Sequence, residues 1–290
     1  MQDRRLGSRA PLASGIALLT LAVAAAAFAD GSADEVDLSQ YENTVYSQFG
    51  EDGVVRKIFE IIEPTHRYAV EFGASDGLEH NNMRRLVLEE GWGGLQIEGD
   101  PALARQNATN YKDYPAVKSI EAFVYPGNIE ILFEENGVPK DFDYLVIDID
   151  SNDYYVWRAI HDFRPKLVQI EYNSGWPPPK LAVVDFHPMN YWDGTDYHGA
   201  SIQSLYELAK KKGYELVYGN QAGNNLFFVD RQYYARFGLK DNSPERFYRP
   251  PSFGVEKGGR APNGRGSPRF ETRPELVWKK LVIPKKIVER

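Results

Sequence analysis

Cysteine is absent from the chain. That excludes disulfides, zinc–thiolate sites, thiol nucleophiles and a lipid-bearing cysteine. Neither G-x-G-x-x-G nor G-x-x-x-x-G-K-[ST] occurs, so the usual phosphate cradles of dinucleotide and triphosphate sites are missing. No G-x-S-x-G elbow is present, which thins the options for an acyl-enzyme. The five histidines (66, 80, 161, 187 and 198) show neither H-E-x-x-H nor H-x-H spacing, which argues against zinc. An excess of positive charge is also lacking, the net charge being −7. The deficit is uneven: from Lys240 onward thirteen Lys and Arg stand against six Asp and Glu. An acidic body of this kind argues against a nucleic-acid partner.

Long apolar runs are few. The longest, Ile16 to Ala29, follows Arg4, Arg5 and Arg9 and ends in the small-x-small triplet Ala27-Phe28-Ala29. The pattern predicts a signal peptide over 1–29, cleaved to leave a chain starting at Asp30 and exported to a periplasm or the exterior. The run is short for the hydrocarbon core of a bilayer, so no stable membrane span is expected after cleavage. An uncleaved membrane anchor and a cytoplasmic chain with a misassigned start are the alternatives. A mature chain of this size can rest on its core without disulfides.

What is present begins at Arg67 to Gly77, RYAVEFGASDG. Its short apolar run, broken by Gly73 and Gly77, predicts a buried parallel strand ending in a tight turn that opens a helix. Asn81 or Asn82 is expected to cap that helix, near Asn81 to Glu90. Ser47 to Ile62 reads as an amphipathic helix. Further strands are expected at Leu95–Glu98, Val117–Val124, Asp143–Asp148 and Lys166–Glu171, with helices at Pro101–Tyr111, Asn128–Asn136, Tyr154–Phe163 and Ser201–Lys212. Tyr214–Tyr218 and Leu226–Val229 should form an antiparallel pair at the sheet edge. Alternating strands and helices of this kind predict an α/β fold, a mostly parallel sheet with helices on both faces. The domain spans 47–238, behind a linker at 30–46. Residues 239–290, basic and rich in Pro and Gly, read as a largely disordered tail, with a short docking element over 275–288.

The link from 174 to 200 is long for a strand-to-helix connection. It holds Trp176, Phe186, His187, Tyr191, Trp192, Tyr197 and His198 and reads as a lid or acceptor platform. Asp148, Asp150 and Asp153 cluster at the end of the central strand, where like charges need a cation, a cationic ligand or raised pKa values. An EF-hand is excluded, because the sixth position is Asp153 and the twelfth Ala159. A magnesium-like ion held by Asp148, Asp150 and Asn173 is one use of the cluster; helix capping by Asn152 and Asp153 is another. Glu98 ends the second strand at the distance from Gly73 at which such folds place an acid on a ribose. A sequon stands at Asn107-Ala108-Thr109.

Ser47-Gln48-Phe49-Gly50-Glu51-Asp52, EFGASDG (71–77), Asn81-Asn82, GWGGLQIEGD (91–100), DIDSNDYYVW (148–157), IEYN (170–173) and GAS (199–201) stand in one order. Together they resemble the FkbM-like methyltransferases, over about residues 46–230. The resemblance implies a Rossmann-like methyltransferase sheet and methyl transfer from S-adenosylmethionine to an oxygen of a small-molecule or carbohydrate acceptor. It further implies that Glu71, Gly73, Ser75, Gly77 and Glu98 hold the cofactor, with Glu121 near the adenine. Asp148, Asp150 and Asn152 would line the methyl end, and Asp150 or His198 would take the acceptor's proton. Ser75 replaces a frequent glycine of the family, and Gly99 a frequent proline. Two other readings stay open: an exported non-catalytic binding module on this scaffold, and a metal-dependent transferase or hydrolase using Asp148 and Asp150.

Overall fold

The computed structural model describes residues 34–188 and 197–252. The expected signal peptide, Tyr191, Trp192 and the docking element at 275–288 lie outside the described residues. Among the described residues no helix is long and apolar enough to cross a membrane.

Seven strands form one sheet: β1 (Tyr68–Phe72), β2 (Gly93–Glu98), β3 (Val117–Glu121), β4 (Tyr144–Ile147), β5 (Leu167–Glu171), β6 (Tyr214–Gly219) and β7 (Asn225–Asp230). Their order is β3-β2-β1-β4-β5-β7-β6. The first five run parallel, and β7 is antiparallel to both β5 and β6. This is the expected Rossmann-like sheet, mostly parallel with an antiparallel edge pair and helices around it. The central strands read as apolar runs because helices cover a parallel sheet, so alternation is lost. Val70, Phe72, Leu95, Ile97, Leu145, Ile147, Val168 and Ile170 are all buried.

The helices are α1 (Glu51–Ile62), α2 (Arg84–Glu90), α3 (Pro101–Asn110), α4 (Ile129–Glu135), α5 (Asp153–Ala159), α6 (Ile202–Lys212), α7 (Arg231–Tyr234) and α8 (Pro244–Phe247). Several boundaries differ from expectation, β3 ending at Glu121 and α5 at Ala159 among them, and three local arrangements depart from the expected ones. The first helix starts at Glu51, because Asp52 gathers the amides of Val45, Tyr46 and Ser47 onto one carboxylate oxygen and holds that stretch as a turn. The next starts at Arg84: its N-cap position is Met83, with no side-chain cap, and Asn82 is bonded to Glu71 instead. Asp153 caps no helix end; its two oxygens accept the Ile149 and Ser151 amides and close the turn after β4.

Both flanking segments pack more than their composition suggests. In the expected linker Leu38 is buried and the Val36 amide donates to the Phe237 carbonyl. In the expected tail Phe247 is buried, the Tyr172 hydroxyl donates to the Arg249 carbonyl, and the Tyr248 hydroxyl donates to the Ser174 carbonyl. Isolated aromatic residues thus anchor polar stretches to the antiparallel end of the sheet. The sequon is not a surface feature, since Asn107 is buried and hydrogen-bonded to Gln96 and Ser119.

Candidate functional site

A cleft of about 980 Å³ opens at the carboxyl ends of the parallel strands. That crest is where an open α/β sheet leaves room between diverging helices. Its lining comes from Gly73–Asp76 after β1, Ile97–Asp100 at the end of β2, Ala122–Val124 after β3, Asp148–Asp150 after β4, and Glu171 at the end of β5. Gln48 and Phe49 face it from the turn before α1, and Asn224 from before β7.

The turn after β1 is built by steric exclusion. Gly73 has φ +76°, and a Cβ there would lie 1.6 Å from the Asp148 carbonyl oxygen. Only glycine lets β1 and β4 approach this closely while the chain reverses. Ser75, also left-handed at φ +50°, points its amide at Glu98. The Glu98 carboxylate accepts that amide at 2.7 Å and the Asp100 amide at 2.7 Å, tying the β1 and β2 loops together.

The charge of the cleft is one-sided. Among the described residues Asp76, Glu79, Glu98, Asp100, Asp148, Asp150 and Glu171 line it, with no lysine or arginine and with His80 the one titratable nitrogen. Burial raises the Asp148 carboxyl well above the usual carboxylate range, and the neighbouring charges of Glu171, Asp150, Asp153 and Glu71 add to the shift. Asp153, buried behind them, is pushed up to about 7 by burial first and by Glu171 second. Asp150 sits in the left-handed region at φ +59°, which a side chain other than glycine adopts at a cost.

The sequence-predicted site residues divide into two groups. Gly73, Ser75, Glu98, Asp148 and Asp150 come together on the cleft. Glu71, Gly77, Glu121, Asn152, Asn173 and His198 do not line it. Glu71 is buried one position before the strand's end. One of its oxygens accepts the Asn82 amide and side-chain nitrogen, and the other accepts the Met83 amide. Gly77 serves packing, because a Cβ there would meet Tyr111 at 2.6 Å and Asn107 at 2.8 Å. Asn152 donates its side-chain nitrogen to the His187 carbonyl. Asn173 donates to the His198 carbonyl and accepts the Gly175 amide, and Glu171 stands beside the two aspartates. His198 is buried behind Glu171, with Nδ1 3.6 Å from Glu171 Oε2. Trp176, from the long connection, carries the Lys180 ammonium 3.7 Å from its ring centroid, so that face is occupied.

Missed by residue-level reasoning were Gln48, Phe49, Phe123, Glu171 and Asn224. The signal for the first two was the Ser47–Asp52 motif itself. Glu51 accepts the Phe49 amide on one oxygen and the side-chain nitrogens of Asn220 and Asn225 on the other, which ties the turn before α1 to the β6–β7 turn. Asn220 in turn accepts the Asn224 amide at 2.8 Å, which fixes the residue that faces the cleft.

No protein-family model matches the chain, and no curated protein matches it in sequence. Among solved structures it is similar to the citrinin polyketide synthase CMeT domain, at 14% identity and TM-score 0.40, covering 62% of this chain and 51% of that one. It thus spans about half the length of that structure. It is similar to the N-terminal domain of EvdMO1 with SAH bound, at 14% identity and TM-score 0.40, over 62% and 80% of the two chains. A third likeness, at 9% identity and TM-score 0.39, is to an S-adenosylmethionine-dependent methyltransferase from Clostridium acetobutylicum ATCC 824, over 67% and 92%.

Proposed function

We propose that this chain binds S-adenosylmethionine in the crest cleft and transfers its methyl group to a hydroxyl of a small or carbohydrate acceptor. The observation that carries the reading is a cleft lined, among the described residues, by seven carboxylates and by neither lysine nor arginine. Phosphate-bearing ligands meet repulsion there, whereas a nucleoside carrying a sulfonium and an ammonium meets the complementary field. The order of FkbM-like motifs supports the same assignment, since the Ser47–Asp52 turn and the EFGASDG turn both face this cleft.

Gly73 to Ser75 form a backbone bend against which a nucleoside can lie. Glu98, already fixed by two amides, stands where ribose hydroxyls would be received. Ala122 and Phe123 supply an apolar wall suited to a base. S-adenosylmethionine brings the electrophilic methyl carbon; the protein's part is to hold an acceptor oxygen in line with it. Asp150 and Glu171 are the carboxylates at that end of the cleft able to receive the hydroxyl proton. Export by the N-terminal segment is proposed with this activity, and mass spectrometry should find a mature chain beginning at Asp30.

S-adenosylhomocysteine tests the reading. It should raise the melting temperature of the full chain, and Ala122→Trp, which fills the wall of the cleft, should abolish the shift. Absence of any shift at millimolar ligand overturns the assignment.

A further inference from the structure

We propose that Asp148, Asp150 and Glu171 bind one hard divalent cation, of the magnesium, manganese and calcium class, on the floor of the cleft. The site stands on these residues alone and does not rest on the nucleoside reading.

Register brings the ligands together. Ile147 of β4 pairs with Ile170 of β5, so the next residues, Asp148 and Glu171, emerge side by side at the crest. The turn that Asp153 closes then returns Asp150 toward them. One carboxylate oxygen from each of the three lies within 4.8 Å of the others. Oxygen ligands at roughly 2.0–2.6 Å from one ion stand roughly 2.8–5.2 Å apart, so the spacing fits a shared ion. The three groups offer oxygen only, which suits hard cations and disfavours zinc and copper. Three carboxylates leave the remaining coordination positions open to the cleft, where water or an acceptor hydroxyl can enter.

A second observation points to the same place. Glu171 is 4% exposed and its Oε2 has no hydrogen-bond partner. Behind it His198, also 4% exposed, aims Nδ1 at that oxygen from 3.6 Å, and this nitrogen too has no hydrogen-bond partner. A buried carboxylate with an unmatched oxygen carries a desolvation cost that some partner must offset. At 3.6 Å that nitrogen stands beyond hydrogen-bond reach, so Oε2 stays available to a ligand in the cleft.

The test uses the full chain, stripped with a chelator and titrated with magnesium, manganese or calcium chloride by calorimetry. One ion per chain is expected. Manganese should broaden the amide resonances of Gly73 and Ile149 before that of the remote Asp141. Glu171→Gln and Asp150→Asn should each weaken binding at least about tenfold, and Asp141→Asn should leave it unchanged. A retained S-adenosylhomocysteine shift in the variants shows an intact cleft. Three results overturn the proposal: no binding at millimolar cation, broadening centred elsewhere, or affinity unchanged in both cleft variants. If S-adenosylhomocysteine binds the stripped chain and no cation does, this proposal falls while the nucleoside reading stands. The converse result sinks the nucleoside reading alone.

Discussion

Glu98 bridges two loops, accepting the amide of Ser75 from the β1 turn and that of Asp100 from the β2 turn, each at 2.7 Å. The residue proposed to receive a ribose is therefore also the clasp that shapes the slot. Charge-assisted bonds of this kind are worth about 1.5–3 kcal/mol each when one partner is lost without replacement, less where water can enter. Glu98→Gln keeps one acceptor and should lower S-adenosylhomocysteine affinity moderately. Glu98→Ala should abolish binding and speed hydrogen exchange at Ser75 and Asp100. Unchanged exchange at both amides in Glu98→Ala would refute the clasp.

Two left-handed glycines separate conformational strain from collision. At Gly91, φ +68°, an added Cβ meets nothing within 4 Å, whereas at Gly73 it lies 1.6 Å from backbone. Gly91→Ala should cost about 1–2 kcal/mol, the penalty of a left-handed side chain. Gly73→Ala should cost clearly more, since β1 and β4 must separate, and should also weaken ligand binding. Urea denaturation of both variants checks the order; equal losses would contradict the close approach.

Glu71 sets a pH dependence of unusual sign. Burial pushes its carboxyl up from 4.5 to about 7, opposed by the bonds from Asn82 and Met83. An acid whose pKa is higher folded than unfolded contributes its full stability below the unfolded value and loses it as pH rises through the folded one. The window is therefore about 4.5 to about 7. At about 1.4 kcal/mol per unit, the loss approaches about 3 kcal/mol by pH 8. Glu71→Gln cannot ionise, so its stability deficit relative to the native chain should shrink between pH 4.5 and pH 8. Denaturant midpoints across that range measure it, and a deficit that grows with pH would reverse the assignment.

The strands were legible because buried parallel strands leave short, dense apolar runs such as YLVI and LVQIE. The crest turn was legible because glycines at 73 and 77 punctuate such a run. What motif order could not give was the direction of side chains near the strand ends. Glu71 belongs to the motif yet lies below the crest, because strand residues alternate faces and Phe72 still intervenes before the bend at Gly73. His198 was accessible as a lone histidine, but only the packing puts it behind Glu171 rather than in the slot. Glu171 went unassigned because nothing in KLVQIE distinguishes a ligand from an acid at a strand's end; its partners lie on another strand. The flanking segments read as polar and loose because composition averages over the few aromatic anchors, Phe247 among them, that fix them.

Glu71 pairs in register with Gln96 on one side and Val146 on the other, and Val146 pairs with Gln169. Asn107 and Asn81 donate to Gln96, while Gln169 donates to Asn82, which donates to Glu71. A seam of amides and one acid thus crosses an otherwise oily layer. Were any strand to slide by a single residue, these groups would face hydrocarbon and their partners would be stranded. The seam acts as an alignment key: it admits one way of assembling the central strands, and so fixes the height at which every crest residue emerges.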